Sequence, residues 1–341
     1  MKAAVLRAFG APLSLEEVPT PVPGPDDVLV RVMACGVDGT DLKLLDGFGY
    51  KPNLPFIMGH EPAGMVAAVG GNVDGFQIGD RVIPYIFLIP PDSRWYGTPR
   101  EQLCPEMQGV LGVTGIAGGY AENFTIPARQ LVRLPDAIDW ADAAVLCDAG
   151  LTAYHAVDRS RLQTGETALV IGVGGVGSFV VQFARLAGAR VIAVDRSDTK
   201  SAHALGLGAE IAINSSRQDV LAEVRRATNG RGVECVLDIV GQAATMQMGI
   251  DALAVGGRMV VVGYTPDELT LGGKRLAQGE LEIIGSRGGP RGNLFKAAQL
   301  VAEGRIKSIV TDTRPLGEVN EALAQLRAGQ VLGRLVLQIA E

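Results

Sequence analysis

Short apolar runs, often alternating with polar residues, fill the first 150 positions, and glycine and proline interrupt them at close intervals. Residues 2–7, 27–34, 63–69 and 120–126 read as strands, and helical periodicity is scarce, so this half predicts an irregular β domain. Residues 84–119 are the least regular, because Pro84, Pro90, Pro91, Pro99 and Pro105 end any long element. From about residue 167 the texture changes. Apolar runs at 168–172, 190–194, 211–213, 235–240, 259–263 and 281–285 alternate with amphipathic stretches at 177–187, 200–207, 220–228 and 243–254. Six buried strands separated mostly by helices predict a doubly wound parallel sheet. After Gly288 the pattern returns to helix (293–303), strand (near Val310), helix (318–328) and a last strand (334–339).

Length and composition narrow the class. At 341 residues with 47% hydrophobic positions, the chain has room for about two domains with sizeable cores. A net charge of −6 speaks against nucleic acid, which selects basic faces. No apolar run reaches the roughly 20 residues of a membrane span, and the N-terminus lacks a signal-peptide pattern. Cys35, Cys104, Cys147 and Cys235 are scattered with no C-x-x-C pair, as expected of free thiols in a reducing cytoplasm. Glycine, at 45 of 341, is nearly twice its ordinary share of about 7%, and its spread predicts many tight turns.

The segment Gly172-Val173-Gly174-Gly175-Val176-Gly177 lies between a buried strand and an amphipathic helix. In that context the first glycine permits a tight turn and the second lets backbone approach a pyrophosphate. Gly177 lets the helix pack on the strand, and the helix N-terminus offers N–H groups to the phosphates. Asp195 ends the next strand, 18 residues after Gly177. A carboxylate there accepts both ribose hydroxyls of NAD and repels a 2′-phosphate, although the adjacent Arg196 is a residue type that holds one. The expected cofactor is therefore NAD.

A second informative stretch is Gly59-His60-Glu61-Pro62-Ala63-Gly64, about 110 residues before the glycine loop. Together with Gly36-Val37-Asp38-Gly39-Thr40-Asp41-Leu42, Gly118-Gly119-Tyr120-Ala121-Glu122, the run from Asp148 to Tyr154, and Gly333-Arg334, it resembles the medium-chain, zinc-type alcohol dehydrogenase family over essentially the whole chain. The resemblance implies a GroES-like β-rich catalytic domain (1–150), a Rossmann dinucleotide-binding domain (151–287) and a C-terminal return to the catalytic domain (288–341). It also implies a homodimer or homotetramer acting on a small-molecule alcohol or carbonyl, with no nucleic-acid or membrane partner.

The resemblance places the catalytic metal on Asp38, His60 and Asp148, with Glu61 as an optional fourth ligand. This chain departs from the family there, because aspartates stand where the outer ligands are usually cysteines, or at the second position a carboxylate. The formal ligand charge of −2 survives, but oxygen ligands are harder, so another divalent ion can replace zinc or the site can empty. Read without the family, Asp38 and Asp148 are also plausible helix caps. The family's structural zinc lobe carries four cysteines. Counting back from Cys104, the other three places hold Tyr96, Ser93 and Pro90, so no structural zinc is expected.

The remaining roles follow from the same resemblance. Thr40 accepts the alcohol proton, Lys43 stands either at the next relay place or paired with cofactor ribose or phosphate, and Asp41 orients His60. Thr152 lies against the nicotinamide and Arg334 near the pyrophosphate. Phe48, Tyr50, residues 85–87, Trp95 and Tyr120 are candidates for a pocket lining, which hints at an apolar or aromatic alcohol. Two other readings stand beside this one: a metal-free quinone or enoyl reductase using NADPH, and a catalytically silent nucleotide-binding sensor or structural protein.

Overall fold

A computed structural model describes residues 1–340. The chain forms two compact units, Met1–Leu151 with Pro290–Glu341, and Thr152–Gly289.

In the first unit the 11-residue strand Asp27–Val37 is the hub. It pairs antiparallel with Glu61–Val69, Asn123–Pro127 and Arg334–Gln338. Its fully or nearly buried Val28, Val30 and Val32 alternate with more exposed neighbours, as a half-buried strand requires. The strand runs three residues beyond the expected 34, and its partner starts at Glu61 rather than residue 63. These extensions matter, because they carry both strands up to candidate site residues. Asp38 follows the end of the hub strand, His60 precedes the start of one partner, and Arg334 opens another. The register Gly36↔Glu61 and Val37↔Leu335 gathers all three at one end of these three adjacent strands.

The expected strand at 120–126 begins only at Asn123. Tyr120 lies before it, in a glycine-rich segment whose amides bond across to Ile57, Gly59 and Met58 carbonyls. A Cβ on Gly118 would collide with the Gly59 carbonyl, so this close approach of two backbones needs glycine.

The second unit is the doubly wound sheet. Its six strands are all parallel, in spatial order Ile211–Asn214, Arg190–Asp195, Thr167–Ile171, Val233–Asp238, Leu253–Val261 and Glu282–Gly285. Leu169, Ile171, Ile192, Val194, Val236 and Met259 form part of its core. The fifth strand starts six residues before the expected position, because the pairing register shifts between Val233 and Cys235 and absorbs the turn at Gly256 (φ +75°). A helix at Gly273–Gly279 was not anticipated, since glycine brackets it and apolar periodicity is weak. No helix among the described residues is long and apolar enough to cross a membrane.

Candidate active site

Asp38 caps the short helix Gly39–Leu45: its Oδ1 accepts the Thr40 amide at 2.7 Å, and its own amide donates to Asp41 Oδ2 at 2.9 Å. The capping reading is therefore correct for this residue, and it coexists with a second role. The same Oδ1 stands 3.5 Å from His60 Nε2. Asp148 is no helix cap. It lies in a single π-helical turn, Leu146–Gly150, that leads into the helix Leu151–Ser160, and its Oδ2 is 3.6 Å from the same His60 Nε2. Such turns recur at functional sites because the extra residue re-aims a side chain. The turn is tied to the strand start by the Ala149 amide, which donates to Glu61 Oε1 at 3.0 Å.

One ligand atom each from Asp38, His60 and Asp148 lies within 4.8 Å of the others. Donors about 2.0–2.1 Å from one tetrahedral ion sit roughly 3.3–3.5 Å apart, close to the two distances seen here. His60 is buried, and neither ring nitrogen has a hydrogen-bond partner. An orphaned imidazole nitrogen facing two carboxylates is costly unless something sits between them. Three protein donors is also the composition of a catalytic rather than a structural metal site. The residues present thus fit a divalent ion.

The electrostatics agree. Burial alone would lower the His60 pKa, but the surrounding carboxylates of Asp38, Asp41 and Asp148 outweigh it and hold the imidazole well above its ordinary range. Burial raises the Asp38 carboxyl, with His60 and Arg334 pulling against it. Any proton that the surrounding carboxylates hold on His60 must leave when a metal binds. Zinc binding is therefore expected to release protons, and affinity should weaken as pH falls. Calorimetry in buffers of different ionisation enthalpy measures this, and zero proton release would mean a neutral imidazole.

Glu61 and Arg334 pair with each other. Glu61 is fully buried and its Oε1 accepts from Arg334 Nη2 at 2.6 Å, which places it in an ion pair rather than among the three converging ligands. Burial pushes its carboxyl up to about 8, against the pull of Arg334. Arg334, expected beside the pyrophosphate, is buried in this pair, with Asp38 Oδ2 also within 3.7 Å. Its nearest anions are protein carboxylates, and they raise its already high pKa against the cost of burial. Gly36 has a reason to be glycine: a Cβ would overlap Glu61 Oε2 across the strand pair.

Asp41 stands with Oδ1 3.4 Å from His60 Nδ1. Thr40 is half-buried one residue before it, and Lys43 lies on the same helix, its pKa lowered by burial and partly restored by Asp38. Tyr120 is not a pocket-lining residue in the expected sense. It is fully buried, and its hydroxyl donates to Asp41 Oδ2 at 2.7 Å. In the proline-rich segment, Ser93 Oγ sits 3.5 Å from Cys104 Sγ and donates to Glu106 at 2.5 Å.

In the second unit, Gly172 turns the chain at φ +92°, and the helix Gly175–Leu186 starts immediately after its N-cap Gly174. A Cβ on Gly177 would overlap the Gly172 carbonyl. Gly174 is different: it is not at positive φ, and a Cβ there would meet nothing within 4 Å. Neither strain nor protein crowding requires glycine at that position, so open space for a ligand is the remaining reason. With Gly175 and Val176 beginning the helix, amides of its first turn lack intrahelical acceptors and face that space. Asp195 is half-buried and anchored on the loop, with Oδ2 accepting the Val173 amide at 2.9 Å and Oδ1 the amides of Arg196 (2.7 Å) and Ser197 (3.2 Å). Arg196 is exposed, and Thr152 is buried in its helix. This cradle fits a dinucleotide.

Known proteins resemble this chain along its whole length. Residues 24–136 match the alcohol dehydrogenase GroES-like domain family, and residues 175–303 match the zinc-binding dehydrogenase family. An alcohol dehydrogenase of Geobacillus stearothermophilus is 34% identical over 343 residues, covering 100% of both chains. The NAD-dependent alcohol dehydrogenase of Sulfolobus acidocaldarius is 34% identical over 351 residues, covering 99% of this chain and 100% of that one. The crystal structure of an alcohol dehydrogenase from the hyperthermophilic archaeon Aeropyrum pernix matches with a TM-score of 0.92 at 34% identity, over 99% of this chain and 100% of that one.

Proposed function

The chain belongs to the zinc-type alcohol dehydrogenase family, and from that premise we propose how its own residues interconvert a small-molecule alcohol and its aldehyde or ketone with NAD. The observation that carries the reading is the convergence of Asp38, His60 and Asp148 on one point. When bound, the metal ion supplies Lewis acidity at the substrate oxygen, and NAD supplies the hydride acceptor.

Asp38, His60 and Asp148 would hold the ion, whose chemistry there would be polarisation of the substrate oxygen. Asp41 faces Nδ1 of His60 and so keeps the proton on that nitrogen, leaving Nε2 as the donor atom. Thr40, held beside the site by the capping bond of its amide to Asp38, accepts the alcohol proton on its hydroxyl. Lys43, whose pKa burial lowers, takes the next place in the relay. Arg334, which faces both Glu61 and Asp38, offsets part of the carboxylate charge around the ligands. Gly172, Gly174, Gly175, Val176 and Gly177 cradle the pyrophosphate, and Asp195 takes the adenosine ribose with Arg196 outside it. Thr152 lies against the nicotinamide.

Alcohol-dependent NAD reduction that stops on chelation and returns with Zn²⁺ tests the reading, and undiminished turnover in metal-free protein would overturn it. In the same assay Thr40→Val, which keeps the shape and removes the hydroxyl, is expected to cost at least ~10²-fold in turnover with little change in cofactor affinity. Near-normal turnover would take the relay away from Thr40. Asp195→Ser removes the charge that repels a 2′-phosphate, so the ratio of NADP to NAD activity should rise. An unchanged ratio would show that Asp195 does not set cofactor choice.

A further inference from the structure

Tyr120 lies 60 residues from His60 in sequence, yet it grips the histidine's surroundings from two directions. Its amide bonds to the Met58 carbonyl at 3.0 Å, and its ring lies directly on Gly59, where a Cβ would overlap ring carbon Cδ1. Gly59 stands at φ +95° immediately before His60. Glycine there satisfies two demands at once, the turn and the seat for the aromatic ring. At the other end of the ring the hydroxyl donates to Asp41 Oδ2 at 2.7 Å. That same oxygen accepts the Asp38 amide at 2.9 Å. With Oδ2 held by two donors from different directions, the Asp41 carboxylate cannot rotate. Oδ1, which has no other partner, is left 3.4 Å from His60 Nδ1.

We propose that Tyr120 is a positioning residue for the metal site: its hydroxyl locks Asp41 so that Oδ1 faces His60 Nδ1, and its ring on Gly59 fixes the backbone that carries His60. The inference rests on the assignment of Asp38, His60 and Asp148 as metal ligands. Physically, a ligating imidazole is only as well aimed as the group on its other nitrogen, and that group is only as well aimed as its own partners. The Tyr120 hydroxyl bonds to Asp41 and, at 3.4 Å, reaches the Gly36 carbonyl, so its effect on the site runs through Asp41 and the chain at Gly59.

Tyr120→Phe removes the hydroxyl and keeps the ring on Gly59. In the full-length protein, zinc affinity measured by competition with a chromogenic chelator should fall about 10- to 100-fold, while NADH affinity stays at the parental value. Asp41→Asn should weaken zinc binding to a similar degree without disturbing the buried ring. The double variant should be little worse than either single one, because two residues acting through one link do not add. Parental zinc affinity in Tyr120→Phe would overturn the proposal, and so would penalties that multiply in the double variant. A His60→Ala protein with parental zinc affinity would instead overturn the ligand assignment itself, so the two failures are distinguishable.

Discussion

His60→Ala is expected to empty the metal site and lower turnover by about 10³-fold or more. His60 Nε2 is the atom both carboxylates face, at 3.5 and 3.6 Å, so its loss removes the middle donor and leaves Asp38 and Asp148 without the group between them. Lewis-acid polarisation is worth several kcal/mol, and each 1.36 kcal/mol is a factor of ten in rate, so about 4 kcal/mol corresponds to about 10³. Metal content and turnover should fall together, and NADH binding should survive, because the glycine loop belongs to the other unit. Two of the three donors are carboxylate oxygens, so the parent protein should hold zinc less tightly than a thiolate site would. After chelation, Mn²⁺ should restore part of the activity alongside Zn²⁺. Full turnover in metal-free His60→Ala protein would leave Thr40, Lys43 and cofactor positioning as the only catalytic groups.

Gly177→Ala should abolish useful cofactor binding while leaving the metal site intact. The added methyl would overlap the Gly172 carbonyl, and the contact on both sides is backbone, so no side chain can swing away to relieve it. The helix Gly175–Leu186 must then shift from the turn that presents Gly172 and Gly174. Misplacement by about 1 Å costs on the order of 10²-fold, and the phosphate-binding amides are displaced by a shift of that kind. Titration of NADH fluorescence measures the loss directly. Gly174→Ala is the informative control: its Cβ meets no protein atom, so any loss of affinity there comes from the ligand side alone. Parental NADH affinity in Gly177→Ala would remove the glycine loop from the binding site.

Much of the second unit was legible in the chain. All six expected strands pair in one parallel sheet, because strands buried on both faces leave continuous apolar runs and the helices between them leave a 3.6-residue period. The misplaced start at residue 253 and the unforeseen helix at Gly273–Gly279 fall where glycines interrupt those periods. The first unit was less legible. Its antiparallel strands are short, and their extents depend on partners elsewhere. The hub strand reaches residue 37 because Leu335 and Glu61 pair with its end, and nothing in residues 35–37 alone states that.

The division of labour at the site follows the same line. Local sequence determined what has a local cause: the turn at Gly172, the helix start at Gly174 and the cap at Asp38, each set by neighbours a few residues away. The ligand triad was reached only through resemblance, since Asp38, His60 and Asp148 carry no periodicity that joins them. Tertiary structure decided that Arg334 pairs with Glu61 across 273 residues, that Glu61 stands outside the converging ligands, and that the Tyr120 hydroxyl meets Asp41. The Arg334–Glu61 contact depends on strand register, and a shift of one residue would turn either side chain to the opposite face. Register is fixed by the burial of whole strands against one another, a property of the folded sheet rather than of any segment within it.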